Sequence, residues 1–173
     1  EAASTKWNFH RHTPGIGVGG HCIPVDPYYY IQWSKEVGGV STLSPSARQI
    51  NESMPEHSAK LISEILGGVG GILILGLAYK PNVGDIRETP VLKMAHALTK
   101  EGISSRIWDP LIRVPIDLPE KCQLVNDPYL AADGVDMIVL ATGHDTLAAG
   151  LNIFLAGPIR AAKVSQKGLL GVA

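Results

Sequence analysis

The chain has 173 residues, of which 45% are hydrophobic and 18% are charged. This composition supplies enough apolar surface for a buried core, which excludes a disordered chain and predicts one domain together with part of another. The 15 basic and 16 acidic residues give a formal net charge of -1, so we expect no polybasic face for nucleic acid or anionic lipid. The two cysteines cannot form a disulfide framework, and the sequence contains no signal peptide and no apolar run of membrane-spanning length. We therefore expect a cytoplasmic protein.

A glycine-rich stretch followed by a cysteine is the first chemical feature of the chain. Residues 14–27 read PGIGVGGHCIPVDP, so that Cys22 follows four glycines. Glycine has no Cβ, so a ligand can approach the bare backbone, and a thiol presented by such a loop is a candidate nucleophile. The alternative is that Cys22 is a small buried hydrophobic residue. The glycine spacing is similar to a dinucleotide fingerprint, but we reject that interpretation because no convincing strand precedes it and Pro24 and Pro27 delay the helix.

Two helical stretches are predicted after the cysteine. Asp26 provides an N-cap carboxylate, and a proline follows it at the first position of a short helix that ends near Gly38. Apolar residues at spacings of three and four then predict helix over residues 44–66. Pro55 interrupts this stretch, and a capping box beginning at Ser53 leaves open either one kinked helix or two successive helices.

The rest of the sequence predicts alternating strands and helices. Residues 72–75 form a continuous apolar run that is typical of a strand buried on both faces, and a helix is predicted over residues 89–100. The further predicted elements are strands at residues 105–108, 123–125 and 135–141 and a short helix from Asp127. This alternation predicts an α/β fold with a parallel three-layer sheet, in which the loops after the strands meet at one edge. Residues 150–173 predict helix or irregular structure.

The loop after the first strand, residues 76–90, brings two cations close to the start of a helix, where phosphates bind well. Lys80 can act as a point charge on a phosphate, and Arg87 can act as a bidentate clamp. The alternative is that both side chains have ordinary surface roles. Lys80 is then only solvated, and Arg87 pairs with Asp85 or Glu88, as surface charges commonly do.

Two segments resemble the UDP-glucose/GDP-mannose dehydrogenase family. They are GVGGHCIPVDPYY at residues 17–29 and the pair GLAYKPN and DIRETP within residues 76–90. The histidine before the cysteine and the Asp-Pro-Tyr-Tyr after it are most similar to the branch that acts on UDP-N-acetyl-hexosamines. The resemblance implies two domains. Residues 1–67 would end a central helical dimerisation domain, with the cysteine and a long connector helix, and residues 68–173 would form a Rossmann-like UDP-sugar-binding domain.

The resemblance also implies roles for the candidate residues. Cys22 would be the nucleophile that captures the aldehyde formed at C6 of the sugar, and Asp26 would position water or act as a base. The backbone before the cysteine would lie along the nucleotide sugar, which two side chains of the second domain would also contact. These expected substrate-binding residues are Thr13, Pro14, Gly15, Ile16, Gly17, Val18, Gly19, Tyr79 and Lys80. Arg87, together with Cys22, would face the cofactor NAD.

Finally, the resemblance implies partners and a product. The amino-terminal NAD-binding domain of the family is expected upstream of Glu1, and without it the chain should not turn over a UDP-sugar. The connector helix implies a homodimer or an aggregation-prone monomer, and the uronate product would serve cell-surface polysaccharide synthesis.

The histidines have no convincing ligand spacing with the cysteines, so no metal site is expected. A rival hypothesis is a noncatalytic nucleotide-sugar-binding or dimerisation module in which Cys22 is merely packed.

Overall fold

The computed structural model describes residues 2–9 and 14–147. A helical segment precedes a unit of alternating strands and helices, and this confirms the α/β fold class expected from the sequence. In chain order the elements are a 3-10 helix at Ala2–Thr5, α1 Asp26–Glu36, α2 Leu43–Leu66, β1 Gly71–Leu75, α3 Pro90–Lys100, β2 Ser104–Trp108, β3 Cys122–Leu124, α4 Pro128–Ala131 and β4 Met137–Leu140. Within the described residues, no helix combines the length and hydropathy that a membrane span requires. The expectations for Thr13 and for residues 150–173 fall outside the described part.

The strands described here form a parallel sheet in the order β3-β2-β1-β4. β1 pairs with β2 on one side and with β4 on the other, and β3 pairs with the far side of β2. Because all strands run in the same direction, the loops that follow them meet at one edge of the sheet, as the sequence predicts. The expected edge strand near residues 123–125 is confirmed by the position of β3.

β1 is buried on both faces, as its continuous apolar sequence predicts. Ile72 and Ile74 pack in a core with α3 and with the second half of α2, where Ile62 is fully buried. Leu73 and Leu75 pack on the opposite face of the sheet with α4. Each fully buried aliphatic side chain contributes about 1.5–3 kcal/mol. Contact between the sheet and its two helical layers is therefore the main source of stability.

α2 is a single helix that continues through Pro55. The alternative of two successive helices, and the capping box at Ser53 on which it depended, are therefore wrong. The hydroxyl of Ser53 instead donates to the carbonyl of Ile50 within the same helix (2.8 Å). Pro55 has no N–H to donate to the carbonyl of Asn51, but its side chain is buried, so packing against the core offsets the lost hydrogen bond.

α1 confirms the first predicted helix but not its cap. The N-cap residue is Val25, and no side chain makes a capping hydrogen bond. Asp26 is the first helical residue and Pro27 the second, so the expectation that Asp26 caps the helix is wrong. Val25 takes the cap position because the turn that starts at Cys22 already has right-handed helical geometry when it reaches α1.

Thr89 joins α3 to the end of β1. It is the N-cap of α3, and its hydroxyl accepts a hydrogen bond from the N–H of Val91 (3.3 Å) while donating one to the carbonyl of Leu77 (2.8 Å). Only 2% of Thr89 is exposed, so water cannot replace either partner. This residue therefore fixes both the start of the helix and the course of the loop before it.

We predict that Thr89→Val lowers the free energy of unfolding by about 2–3 kcal/mol, because the substitution keeps the side-chain shape but leaves a buried N–H and a buried carbonyl unpaired. Thr89→Ser keeps the hydroxyl and should lose less than about 1 kcal/mol. Thr99→Val is the matched control, since the Thr99 hydroxyl only donates to the Ala95 carbonyl within α3. Urea denaturation followed by circular dichroism measures all three variants. Equal losses for Thr89→Val and Thr99→Val would contradict the role given to Thr89.

Candidate functional site

The cysteine loop, defined as residues 14–25, lies against the cation loop, defined as residues 76–89. The N–H of Gly20 donates to the carbonyl of Arg87 (2.8 Å), and the N–H of Val18 donates to the side-chain oxygen of Asn51 on α2 (3.1 Å). These bonds join segments that lie far apart in the sequence. The loop that carries the thiol and the loop that carries the two cations, which were predicted separately, are therefore in contact.

Glycine is required where the cysteine loop meets Tyr79. A Cβ added at Gly19 would lie 2.5 Å from the Cβ of Tyr79 and 2.9 Å from the carbonyl oxygen of Glu88. A Cβ added at Gly20 would lie 3.0 Å from the Tyr79 ring, and Gly20 also has a φ of +87°. The Gly19-Gly20 pair is thus explained by close packing on the cation loop, with no dinucleotide needed to account for it.

The start of the cysteine loop is anchored by Ile16. Its side chain is 6% exposed and belongs to the core shared with α2 and α3. Gly17 lies against Pro90, whereas Pro14 is exposed. Gly15 and Val18 are half-buried. Ile16 therefore has a structural role, and the buried Gly19 and Gly20 leave only the residues before them partly exposed.

Cys22 is exposed, so the alternative of a small buried hydrophobic residue is wrong. Its carbonyl accepts hydrogen bonds from the N–H groups of Val25 (2.9 Å) and Asp26 (2.8 Å), which places the exposed Asp26 one turn beyond the thiol at the start of α1. Cys122 differs in both respects, since it is buried in β3 and burial raises the pKa of its thiol. The two cysteines therefore form an internal contrast for measurements of thiol reactivity.

Arg87 is paired with Asp85, as the alternative interpretation of the sequence predicts. Asp85 accepts from Nε and Nη2 of the guanidinium, at distances down to 2.6 Å, and also from the backbone N–H of Arg87 (2.9 Å). These hydrogen bonds lower the pKa of Asp85 to about 2. The same pair, with smaller contributions from Tyr79 and Cys22, raises the pKa of Arg87. Arg87 is therefore held by a carboxylate while it lies within electrostatic reach of the thiol.

Tyr79 packs on the cysteine loop, and Lys80 lies beside the Tyr79 ring. Tyr79 is half-buried against Gly20, and its N–H donates to the carbonyl of Asp85 (3.0 Å). Lys80 is exposed, with its ammonium nitrogen 5.8 Å from the centre of the Tyr79 ring, and it forms no ion pair with a residue in the described part of the chain. The backbone of Gly20, the ring of Tyr79 and the ammonium group of Lys80 thus lie in succession along one surface.

The residues that hold the cation loop were not identified from the sequence. The side chain of Asp109, directly after β2, accepts hydrogen bonds from the N–H groups of Leu77 (2.7 Å) and Ala78 (2.9 Å). The Thr142 hydroxyl, after β4, donates to the carbonyl of Ala78 (2.7 Å). Buried His144 contacts Asp109 at 3.1 Å. One pattern in the sequence could have identified Asp109 and Thr142: each polar residue directly follows a predicted strand, at the edge of the sheet where the strand ends meet.

A cleft of about 580 Å³ lies behind the cysteine loop, between α1, α2 and the start of α3. Its two cations are each paired, Arg48 with Glu52 (3.2 Å) and Lys93 with Glu88 (3.1 Å). The two positive charges that line the cleft are therefore paired with carboxylates, and neither is free to bind a phosphate. The residues that line it are Pro24, Val25, Tyr28, Tyr29, Gln32, Arg48, Glu52, Glu88 and Lys93.

Two family models match the chain in consecutive parts. The UDP binding domain of the UDP-glucose/GDP-mannose dehydrogenase family matches residues 73–155, and the central domain of the same family matches residues 1–53. The first match includes the cation loop and the second includes Cys22. Both parts of the site described above therefore lie in regions shared with this family.

Several known proteins are similar over most of the chain. A UDP-N-acetyl-D-mannosamine dehydrogenase of Pyrococcus horikoshii is 39% identical over 150 residues, covering 83% of this chain and 33% of the relative. A UDP-N-acetyl-D-glucosamine 6-dehydrogenase of Salmonella typhi is 32% identical over 149 residues, covering 83% of this chain and 35% of the relative. A solved UDP-glucose dehydrogenase of Pyrobaculum islandicum superposes with a TM-score of 0.69 at 31% identity, over 76% of this chain and 32% of that one. The chain thus spans about a third of the length of these relatives.

We predict that Gly19→Ala lowers the free energy of unfolding by about 1–3 kcal/mol, because the new methyl overlaps Tyr79 and a backbone carbonyl. The variant should also change the alkylation rate of Cys22, since the cysteine loop must move away from the cation loop. Gly71→Ala is the control, because its added Cβ would meet only the Ser104 hydroxyl, at 3.3 Å. Thermal unfolding and iodoacetamide labelling measure both effects. Matching results for the two variants would contradict the close contact at Gly19.

The Asp85–Arg87 pair predicts a low titration midpoint. The carboxyl group of Asp85 should titrate with a pKa of about 2, and Arg87→Gln should raise the midpoint toward the ordinary aspartate range, with the backbone N–H of residue 87 still holding it below that range. Because the folded pKa lies below the unfolded value, the pair stabilises the fold above the ordinary aspartate pKa, and this contribution is lost as pH falls toward 2. Carbon-13 NMR of the Asp85 carboxyl over this range is the measurement. An unchanged midpoint in Arg87→Gln would show that the pair does not form in solution.

Proposed function

Because the chain belongs to the UDP-glucose/GDP-mannose dehydrogenase family, we propose that it binds a nucleotide sugar between the cysteine loop and the cation loop and contributes the nucleophile for oxidation at C6. One observation carries the proposal: the bond from the Gly20 amide to the Arg87 carbonyl sets an exposed thiol beside a cationic loop. Covalent capture needs a thiol that substrate can reach, and a nucleotide needs cations within range of that thiol. Cys22 with Lys80 and Arg87 supplies both.

The backbone of the cysteine loop supports the proposed contact with the nucleotide sugar. The N–H groups of Val18 and Gly20 are used by Asn51 and Arg87. Those of Gly17 and Gly19, which alternate with them, form no hydrogen bond to another residue in the described ranges. Backbone donors without an internal partner are suited to a polar ligand. We assign the amide of half-buried Gly17 to the sugar or the diphosphate, with Pro14, Gly15 and Ile16 continuing the same stretch and Thr13 preceding it in the sequence, whereas buried Gly19 serves to pack the loop on Tyr79.

The cation loop is proposed to hold the diphosphate. Lys80 is exposed beside Tyr79 and lacks an ion pair within residues 2–9 and 14–147, so its ammonium is available to a phosphate. Tyr79 offers a ring face for the sugar or base next to the glycine backbone. These two residues approach from the part of the chain that follows α2, whereas the thiol comes from the part before it. The proposed ligand would therefore bridge the two parts.

The proposed chemistry uses Cys22 and Asp26. Oxidation of the C6 alcohol gives an aldehyde, to whose carbon the Cys22 thiolate adds, forming a thiohemiacetal. Loss of the C6 hydride and of the hydroxyl proton from this adduct gives a thioester, and water then adds to the thioester carbon and displaces the thiolate, which leaves the uronate. Asp26, one turn beyond Cys22 and not engaged as a helix cap, is placed to orient that water or to accept its proton.

NAD fits this site only in part. When bound, NAD would supply the oxidant, one molecule taking up one hydride from C6 in each of the two successive oxidations. Arg87 can hold one of its polar groups, because Asp85 occupies Nε and Nη2 and no described residue bonds to Nη1. The described residues provide no strand leading directly into the glycines and no glycine fingerprint that could bind the rest of the cofactor. We propose that turnover needs a dinucleotide-binding domain in addition to these residues.

The substrate class and the assembly are also proposals. Two of the relatives above are named as dehydrogenases of UDP-N-acetyl-hexosamines, and we propose a substrate of that kind, with UDP-glucose as the other option and a uronate for cell-surface polysaccharide as the product. Large apolar side chains on one surface of α1 and on the first half of α2 are exposed, which favours a homodimer through these helices. They are Tyr29, Tyr30, Trp33, Leu43 and Ile50.

The second candidate function is a noncatalytic nucleotide-sugar-binding module. The paired state of Arg87 favours it, because a guanidinium already held by Asp85 can serve as a static anion contact. The two functions differ in whether the bound ligand covers the thiol of Cys22. In the enzyme, bound substrate must cover Cys22, whereas in the binding module the ligand can occupy the cation loop and leave the thiol open.

We predict that iodoacetamide modifies Cys22 at least about tenfold faster than Cys122, because Cys122 is buried and its pKa is raised. Saturating UDP-N-acetylglucosamine should slow labelling of Cys22 at least about fivefold and leave Cys122 unchanged. Lys80→Gln should weaken this protection about five- to tenfold in ligand concentration through loss of the phosphate contact. Lys100→Gln, at the far end of α3, is the matched control. Peptide mass spectrometry measures each rate.

The outcomes separate the candidates. Protection that depends on Lys80 and not on Lys100 supports the enzyme. Binding by calorimetry without protection of Cys22 supports the noncatalytic module. Absence of both binding and protection would overturn the proposed nucleotide-sugar site.

A further inference from the structure

We propose that His144 is the positioning residue of the cation loop, and that it acts in a single tautomer that accepts a hydrogen bond at Nδ1 and donates one at Nε2. No role for this histidine was predicted from the sequence, and the proposed oxidation does not use it. Its side chain is 1% exposed, and it stands between the tip of the cation loop and the carboxylate of Asp109. The proposal depends on the proposed function only for its ligand-binding measurement.

The geometry fixes which nitrogen carries the proton. The backbone N–H of Asn82 points to Nδ1 at 3.0 Å, and Nε2 lies 3.1 Å from Oδ2 of Asp109. A backbone amide can only donate, so Nδ1 must be the unprotonated nitrogen. Nε2 then carries the proton and donates it to the carboxylate. Either of the other protonation states would place two donors or two acceptors opposite each other.

The charge on Asp109 supports this assignment. Burial acts to raise the pKa of Asp109, but the backbone N–H groups of Ala78, Leu77 and Leu111 act against it, and the net shift is downward. Asp109 is therefore a carboxylate that accepts hydrogen bonds, and the proton between the two side chains belongs to His144. Three backbone bonds hold Asp109 independently of the histidine.

The other end of the imidazole determines the position of the loop tip. Asn82 has a φ of 60°, in the left-handed region that asparagine tolerates better than most residues. Its N–H is held by His144, and its side-chain oxygen accepts from the N–H of Asp145 (3.0 Å). Lys80 lies two residues before this turn, and Asp85, the partner of Arg87, lies three residues after it. The cationic side chains thus depend on a turn that His144 fixes in place.

This arrangement predicts that loss of the imidazole affects the position of the cation loop and not the stability of the whole fold. If Nδ1 is lost, Asp109 still binds the amides that follow β1 and β2, so the sheet edge remains intact. The turn at Asn82 loses its amide partner and keeps only the bond through its side chain. We therefore expect loosening confined to the cation loop, with a lower affinity for a ligand held by Lys80.

Two substitutions separate the two ends of the imidazole. His144→Asn keeps an acceptor near the position of Nδ1 and loses the donor to Asp109, whereas His144→Gln keeps a donor that reaches Asp109 and loses the acceptor. Hydrogen exchange followed by NMR should show the Asn82 amide exchanging at least about tenfold faster in His144→Gln, with the amides of β1 unchanged. The affinity for uridine diphosphate should fall about five- to tenfold in His144→Gln and recover in His144→Asn.

Nitrogen-15 NMR of the unsubstituted chain tests the tautomer directly and requires no variant to fold. The expected spectrum has an unprotonated Nδ1 and a protonated Nε2 in His144 at neutral pH. A protonated Nδ1, or equal exchange of the Asn82 amide in the two variants, would overturn the proposal. If the unsubstituted chain fails to bind uridine diphosphate, the proposed function fails, while the nitrogen spectrum and the exchange rates still decide the role of His144.

Discussion

The buried carboxylate of Asp109 is the contact on which the functional edge of the sheet depends. A parallel sheet brings the ends of its strands together, but the backbone groups just beyond those ends have no ladder partner. Asp109 satisfies the amides that follow β1 and β2 and also contacts His144 after β4. Because the loop after β1 carries Tyr79 and Arg87, this carboxylate sets where the loop begins, and Thr89, Thr142 and His144 hold its later course. The cysteine loop packs on the cation loop and therefore depends on Asp109 as well.

Sequence patterns predicted the elements whose form is decided by local chemistry. The apolar run at residues 72–75 indicated a strand buried on both faces, and it lies at the centre of the sheet between two helical layers. Thr89 before a proline indicated the start of α3, and it is the N-cap. The exposed thiol of Cys22 was expected from the absence of side chains in the glycines before it. In each case a local pattern was enough to predict the form of the element, although its packing partners lie elsewhere in the chain.

The sequence was less informative where the deciding partner lies far away in the chain. Pro55 left open either one kinked helix or two successive helices because only its own backbone was considered, whereas its side chain is buried and α2 is a single helix. Asp26 looked like a cap, but the turn that begins at Cys22 places Val25 in that position. His144 was judged only as a possible metal ligand. Its partners, Asn82 and Asp109, lie 62 and 35 residues away, which no local spacing reveals.

The site combines a tightly packed contact between its two loops with an exposed ion pair. Gly19 packs against Tyr79 with no room for another atom, so the thiol cannot shift relative to the cation loop without separating the two loops. The Arg87–Asp85 pair is instead exposed, and such pairs are weak in water because solvent screens them. Asp85 still orients the guanidinium before a ligand arrives, which reduces the side-chain entropy lost on binding. An anion that reaches Arg87 can therefore bind at Nη1, which Asp85 leaves open, while Asp85 keeps the guanidinium oriented.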